Sequence, residues 1–233
     1  EQTCPVGATA CNTILMGKSV QVRDNISTPL TDNTNGIIYK ANDNDGTTFY
    51  FAGDTDENWV YFAGFYWRII RVNGDGSVRM IYAGTDSNVT TGTDTEIGRA
   101  AFNINYNASY YVGLKYTVDE QYGTTTNSTI LESLNSWYSS NLTSYASYID
   151  QNAGFCNDRD IASGSNWSSN PTSPIFYGIF AGRSETFECT NPVNLFTVRG
   201  ASKGNASLEY PIGLITVDEV FYAGGAYGSS NRE

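Results

Sequence analysis

The sequence predicts an α+β fold in which an antiparallel β meander packs against one long helix and one or two short ones. Three observations carry this expectation. Five strand-like runs succeed one another between residues 36 and 84 with turn residues between them; the stretch "NSTILESLNSWYSSNL" has the apolar period of a helix; and the last apolar run passes into a capped helical turn. With 233 residues, 40% of them apolar and 14% aromatic, the chain can bury a sizeable core. Residues 1–36 are expected to form a disulfide-pinned lead-in, and residues 37–233 a single α+β domain.

The lead-in is polar and turn-rich, with one short alternation, "VQVRD". The meander comprises "GIIYKA", "TTFYFAG", "WVYFAG", "FYWRIIRV" and "SVRMIYAG", separated by "NDNDG", "DTDEN", Gly64 and "NGDG". Strict alternation along the fourth run puts Phe65, Trp67, Ile69 and Arg71 on one face and Tyr66, Arg68, Ile70 and Val72 on the other. Both faces are largely apolar, as in a central strand covered on both sides.

That run carries two arginines, and Arg79 lies on the next. Buried guanidinium groups need carboxylate or carbonyl partners, because an unpaired buried charge costs several kcal/mol. The acidic turn Asp54, Asp56 and Glu57 is the nearest source in the sequence. The functional alternative is that Arg68, Arg71 or Arg79 grips an anionic group of a ligand.

Residues 84–126 read as loops with one strand around "YYVGLKYTV". The helix over Asn127 to Leu142 has Asn127 or Ser128 as N-cap and places Ile130, Leu134, Trp137 and Tyr138 on one stripe, with Leu131 beside it. "TSYASYI" continues it as a shorter turn. Core burial is expected for Trp67, Ile69, Ile70, Leu134 and Trp137. Residues 151–194 are irregular. "YPIGLITVDEVFYAGG" predicts a strand at Ile212 to Ile215, then a short helix with a Thr216/Glu219 capping box, stopped at Gly224.

Composition narrows the function. Thirteen Lys and Arg against 24 Asp and Glu give a formal net charge of -11, which argues against a nucleic-acid partner or an anionic membrane surface. No run approaches the ~20 apolar residues of a membrane span, and "EQTCPVGATA" has neither a charged nor an apolar leader region. The four cysteines lack CxxC spacing and the chain has no histidine, so two disulfides, Cys4–Cys11 and Cys156–Cys189, are favoured over free thiols or a zinc site. Disulfides point to an oxidising, extracellular setting.

The absence of histidine removes the usual base for nucleophilic catalysis. Asp119, Glu120, Glu132, Asp218 and Glu219 could in principle pair for glycoside hydrolysis, yet each has a turn, helix-surface or capping explanation, and no enzyme is expected. Oxygen-rich loops make Asp43, Asp45, Asp54, Asp56 and Glu57 candidate calcium ligands. An EF-hand frame fails, since aligning Gly46 with its glycine puts Ala41 and Ala52 at the first and twelfth positions. Asn-x-Ser/Thr matches occur at Asn25, Asn88, Asn107, Asn127, Asn141, Asn166 and Asn205, and matter only under eukaryotic glycosylation.

"FYWRIIRVNGDGSVRMIY", "LESLNSWYSSNL", "FECTNPVNLFTV" and "YPIGLITVDEVFYAGG", in that order, resemble a group of exported proteins of gut-associated Gram-positive bacteria with a C-type-lectin-like architecture. The resemblance runs over about residues 36–228. It implies a surface protein that self-associates or binds other surface proteins or glycans, some members having prepilin-like leaders that suit a pilus-like assembly. It supplies no catalytic residue. Similar sequences tend to run on past the "YAGG" helix into a further strand, so a sheet edge near "GLIT" is expected to lack a partner, either because the 233 residues are a fragment of a longer chain or because a neighbouring subunit adds the missing strand, unless the fold closes without it.

Overall fold

The computed structural model describes residues 4–87, 89, 91–104, 111, 113–118, 120–157, 185–189, 191–200 and 203–225. In chain order its elements are α1 (Thr9–Leu15), β1 (Ser19–Gln21), β2 (Ile37–Asp43), β3 (Gly46–Tyr50), β4 (Trp59–Phe62), β5 (Phe65–Val72) and β6 (Val78–Gly84). Next come β7 (Lys115–Tyr116), β8 (Thr126–Asn127), α2 (Thr129–Asn141), β9 (Phe155–Cys156), β10 (Leu195–Phe196) and α3 (Val217–Tyr222). The protein is α+β, with a mostly antiparallel sheet and short helices. Its contacts divide it into two units: Glu1–Ile97 with Glu185–Glu188 and Ile215–Glu233, and Gly98–Ser184 with Cys189–Leu214. The division falls elsewhere than at residue 36, and β1, within the expected lead-in, joins the sheet by pairing parallel to β2.

In the first unit all five expected meander strands are present. β5 is the hub: it pairs with β6 along its length, with β4 at Phe65 to Arg68 and with β3 at Arg71 and Val72. Both sides of the sheet are covered, as the apolar content of both faces requires. Ile38, Phe49, Phe51, Ile69 and Val72 bury with Cys11 of α1 on one side. Tyr39, Tyr50 and Ala52 bury with Phe187 and Tyr222 on the other, where the Phe187 and Tyr222 rings stack at 3.9 Å. α1 has no counterpart among the expected elements. It is a short helix without a side-chain N-cap bond, and the Cys4–Cys11 disulfide, with Cα atoms 5.9 Å apart, fastens it.

Strict alternation fails at one place on β5. A register shift against β6 between Ile69 and Arg71 lets Ile69 and Val72 share one cluster. Arg71 instead points to the other side, its guanidinium 4.8 Å from the Phe187 ring. The extra residue of a bulge inverts the facing of the residues beyond it. Of the residues expected in the core, Trp67 and Ile69 are buried, whereas Ile70 is half-buried.

In the second unit the Ser128 hydroxyl caps α2 by accepting from the Leu131 N–H, and the backbone N–H of the fully buried Ser128 donates to the Leu114 carbonyl. The buried face is Leu131, Leu134, Asn135 and Tyr138, one position out of phase with the expected stripe, so Trp137 is half-exposed rather than core. The side chains that cluster with Leu131 are Leu114, Phe196 and Leu208, and Tyr138 stacks on Tyr210 at 4.8 Å. A 3-10 segment, Thr143–Tyr148, continues the helix. The Cys156–Cys189 disulfide, with Cα atoms 5.6 Å apart, ties β9 to the return of the chain.

Two strand expectations need correction. Of "YYVGLKYTV" only Lys115–Tyr116 is strand, with Tyr110 and Val112 outside the described residues. Residues 212–215 form no strand. The Ile212 N–H is instead taken up locally by Tyr210 O at 2.8 Å, and Gly213 lies so close to Phe155 that an added Cβ would fall 2.4 Å from the ring. The capping box does form: Thr216 Oγ1 accepts from Glu219 N at 3.1 Å, and Glu219 Oε2 accepts from Thr216 N at 2.9 Å. Gly224, with φ +110°, lies just past the helix.

Candidate functional site

The three arginines divide between two roles. Arg71 and Arg79 are internal. Arg71 Nη1 donates to Asp43 at 2.6 Å, its Nε is 3.7 Å from Glu219, and Arg79 Nε pairs with Glu219. Asp43, Arg71 and Glu219 are all buried. Burial lowers the pKa of Arg71, and Arg79 adds to the effect, against the two carboxylates. The carboxylates thus come from β2 and α3 and not from the Asp54–Glu57 turn.

The calcium candidates are not assembled into a site. Asp43 is held by Arg71 and the N–H groups of Asp45 and Gly74. Glu57 accepts from Lys18 at 2.7 Å and from Gly36 N, contacts that lower its pKa. No group of three or more His, Cys, Asp or Glu suited to a metal occurs among the described residues. The carboxylates considered for hydrolysis also have structural partners: Asp218 accepts from Thr186 N, and Glu132 from Asn127, while Asp119 lies outside the described residues. So do the sequons at Asn88, Asn107 and Asn166. At Asn127, Asn141 and Asn205 the side-chain amide donates within the protein.

Arg68 is different, and it sits at the candidate site. β4 and β5 form a hairpin closed by Ala63 and Gly64, both with positive φ, the geometry of a type I′ turn. Trp67 Nε1 donates to Phe62 O at 2.9 Å and pins the turn. This register sets Trp59 opposite Arg68 and Tyr61 opposite Tyr66, so the four side chains share one face. Arg68 Nε donates to Asn58 Oδ1 at 2.6 Å and Nη2 to Thr55 O at 2.7 Å. Its guanidinium lies over the Trp59 ring at 4.5 Å. Both acceptors are neutral, and Nη1 makes no hydrogen bond to any described residue.

The aromatic part of the face is layered. Tyr66 packs edge-on to Trp59 at 6.3 Å and tilted against Tyr61 at 4.9 Å, leaving Tyr61 63% exposed. Asp54 and Asp56 are exposed, their carboxylates make no hydrogen bond among the described residues, and they act electrostatically on Arg68. Burial lowers the pKa of Arg68 while Asp56 and Asp54 raise it. Rigid donor, exposed ring and free acceptors therefore lie within one hairpin and the turn before it. The sequence singles out Arg68 as a residue type but not its neighbours; the two-residue turn is the signal that fixes them, because it sets the cross-strand pairs.

A second surface lies on α2, where Trp137 lines an open depression with Thr129, Glu132, Ser133, Ser136, Ser140 and Asn141. No helix among the described residues is long and apolar enough to cross a membrane. Comparison with family models, with curated proteins and with solved structures finds no match to this chain.

Proposed function

We propose that this chain is an adhesive domain of an extracellular surface protein. The observation that carries the reading is the β4–β5 face: an aromatic ring, Tyr61, left 63% exposed beside a guanidinium whose orientation is fixed by Asn58, Thr55 and Trp59. Exposed aromatics next to pre-oriented polar groups are what recognition surfaces are made of, because little ordering entropy remains to be lost on binding. Two disulfides fit an oxidising exterior. Adhesion draws more support than polymer formation, since the strand edge expected at residues 212–215 is not a strand.

Beads coated with the oxidised protein should be retained under flow on a glycoprotein-coated surface, and beads carrying Tyr61→Ala should be released. Equal retention of both, or retention no better than that of uncoated beads, would reject the reading.

A further inference from the structure

Resting on the adhesive reading, and going further to name the ligand, we infer that the Tyr61–Arg68 face binds a neutral pyranose sugar. The chemistry of the face selects this class. A pyranose offers an apolar C–H face for stacking and a rim of hydroxyls, each able to donate and accept. Tyr61 supplies the ring. Arg68 Nη1 supplies a donor whose position is set by the bonds of Nε and Nη2, and Asp54 and Asp56, on the turn leading into β4, supply exposed acceptors.

The dimensions agree. Tyr61 and Arg68 are diagonal neighbours across the β4–β5 pair, with backbone positions roughly 7–8 Å apart, so one small ligand can reach both side chains. Trp59 is not a second platform, because the Arg68 guanidinium already occupies one of its faces. It positions Arg68.

Charge decides between neutral and acidic sugars. Arg68 contributes one positive charge, while Asp54 and Asp56 contribute two negative ones that act on it, in a chain of net charge -11. A carboxylate or sulfate group entering here meets repulsion that a hydroxyl does not. A protein partner is less well served: a standard interface needs ~800 Å² per side, and the exposed aromatic surface here is a single ring with flanking edges.

The test uses the full, disulfide-bonded chain on immobilised neutral hexose and N-acetylhexosamine oligosaccharides, alongside sialylated and sulfated versions of the same cores. Neutral glycans should bind, their acidic versions more weakly. Tyr61→Ala should lower affinity about tenfold, and Arg68→Gln should lower it as well. Unchanged circular dichroism and thermal midpoint would show that Tyr61→Ala still folds, as expected for an exposed side chain.

Binding to none of the glycans, preference for the acidic versions, or neutral-glycan binding indifferent to both substitutions would overturn the inference. The adhesive reading fails separately. If beads stay Tyr61-dependently on an enzymatically deglycosylated surface, the adhesion is real and its ligand is protein.

Discussion

The guanidinium of Arg68 lies 4.5 Å from the centroid of the Trp59 ring, on the strand position directly opposite it. The pair is held from beneath by Asn58, a buried residue whose Oδ1 accepts from Arg68 Nε and whose Nδ2 donates to Ile69 O at 3.1 Å. Cation–π contacts of this kind contribute ~0.5–2 kcal/mol according to burial. Here the contact also fixes the orientation of the guanidinium.

Asn58→Ala removes both side-chain bonds and leaves the Ile69 carbonyl without its side-chain donor. We expect a loss of ~1–3 kcal/mol in stability, read as a lower urea midpoint with unchanged slope. Arg68 is freed by the same change, so any ligand affinity should fall with it. A midpoint within error of the parent would show that Asn58 does not organise the hairpin.

Glu219→Gln isolates charge from capping, because the amide oxygen can still accept from Thr216 N. Among the described residues it leaves Asp43 as the carboxylate paired with Arg71. Breaking a buried pair this way costs ~3–5 kcal/mol, measurable by chemical denaturation. A cost below ~1 kcal/mol would mean that water screens the network.

Alkali should unfold the protein cooperatively. Burial raises the pKa of Tyr50, Tyr138 and Tyr222, so the folded state resists losing protons that the unfolded chain releases near ~10. The stability these groups confer is complete below that value and is lost as pH rises toward their folded pKa values. Tyrosinate absorbance against pH should include a steep wave coincident with loss of near-UV circular dichroism, as the buried rings are exposed and ionise together. A single smooth wave would contradict this.

Ala63 carries φ +55° in the hairpin turn, a conformation that costs a β-carbon-bearing residue ~1–2 kcal/mol. Asn tolerates it better and is favoured in type I′ turns. Ala63→Asn should therefore raise the thermal midpoint and leave the Tyr61 face intact. A lowered midpoint would argue for a different turn.

Local signals in the sequence carry over into the fold. Ser128 is an N-cap, Thr216 and Glu219 close a capping box, and the alternating runs from Ile37 to Gly84 are strands, because each depends on neighbours within a few residues. Features that depend on distant neighbours do not carry over. Arg79 pairs with Glu219, 140 positions away in the chain, and no local rule could prefer it over the adjacent acidic turn. The phase of α2 goes astray at Trp137 because the apolar residues of that helix fit two overlapping stripes, and the packing of Leu131 against Leu114, Phe196 and Leu208 chooses between them. The bulge that turns Arg71 away from Ile69 likewise leaves no mark in an alternating run. Of the candidate site, Arg68 is visible as a residue type, while its stacking on Trp59 requires the turn at Ala63 and Gly64 to be recognised as two residues long.

The proposed glycan-binding face is tested most directly by a nuclear magnetic resonance titration of the full chain with a neutral oligosaccharide, tracking the Arg68 Nε–H, the Tyr61 ring and the indole N–H groups. Saturable shifts are expected at Arg68, Tyr61 and the Trp59 indole, with the Trp137 indole unmoved. Shifts confined to Trp137 and its neighbours on α2, or no shift at any of these groups, would contradict a binding site at Tyr61 and Arg68.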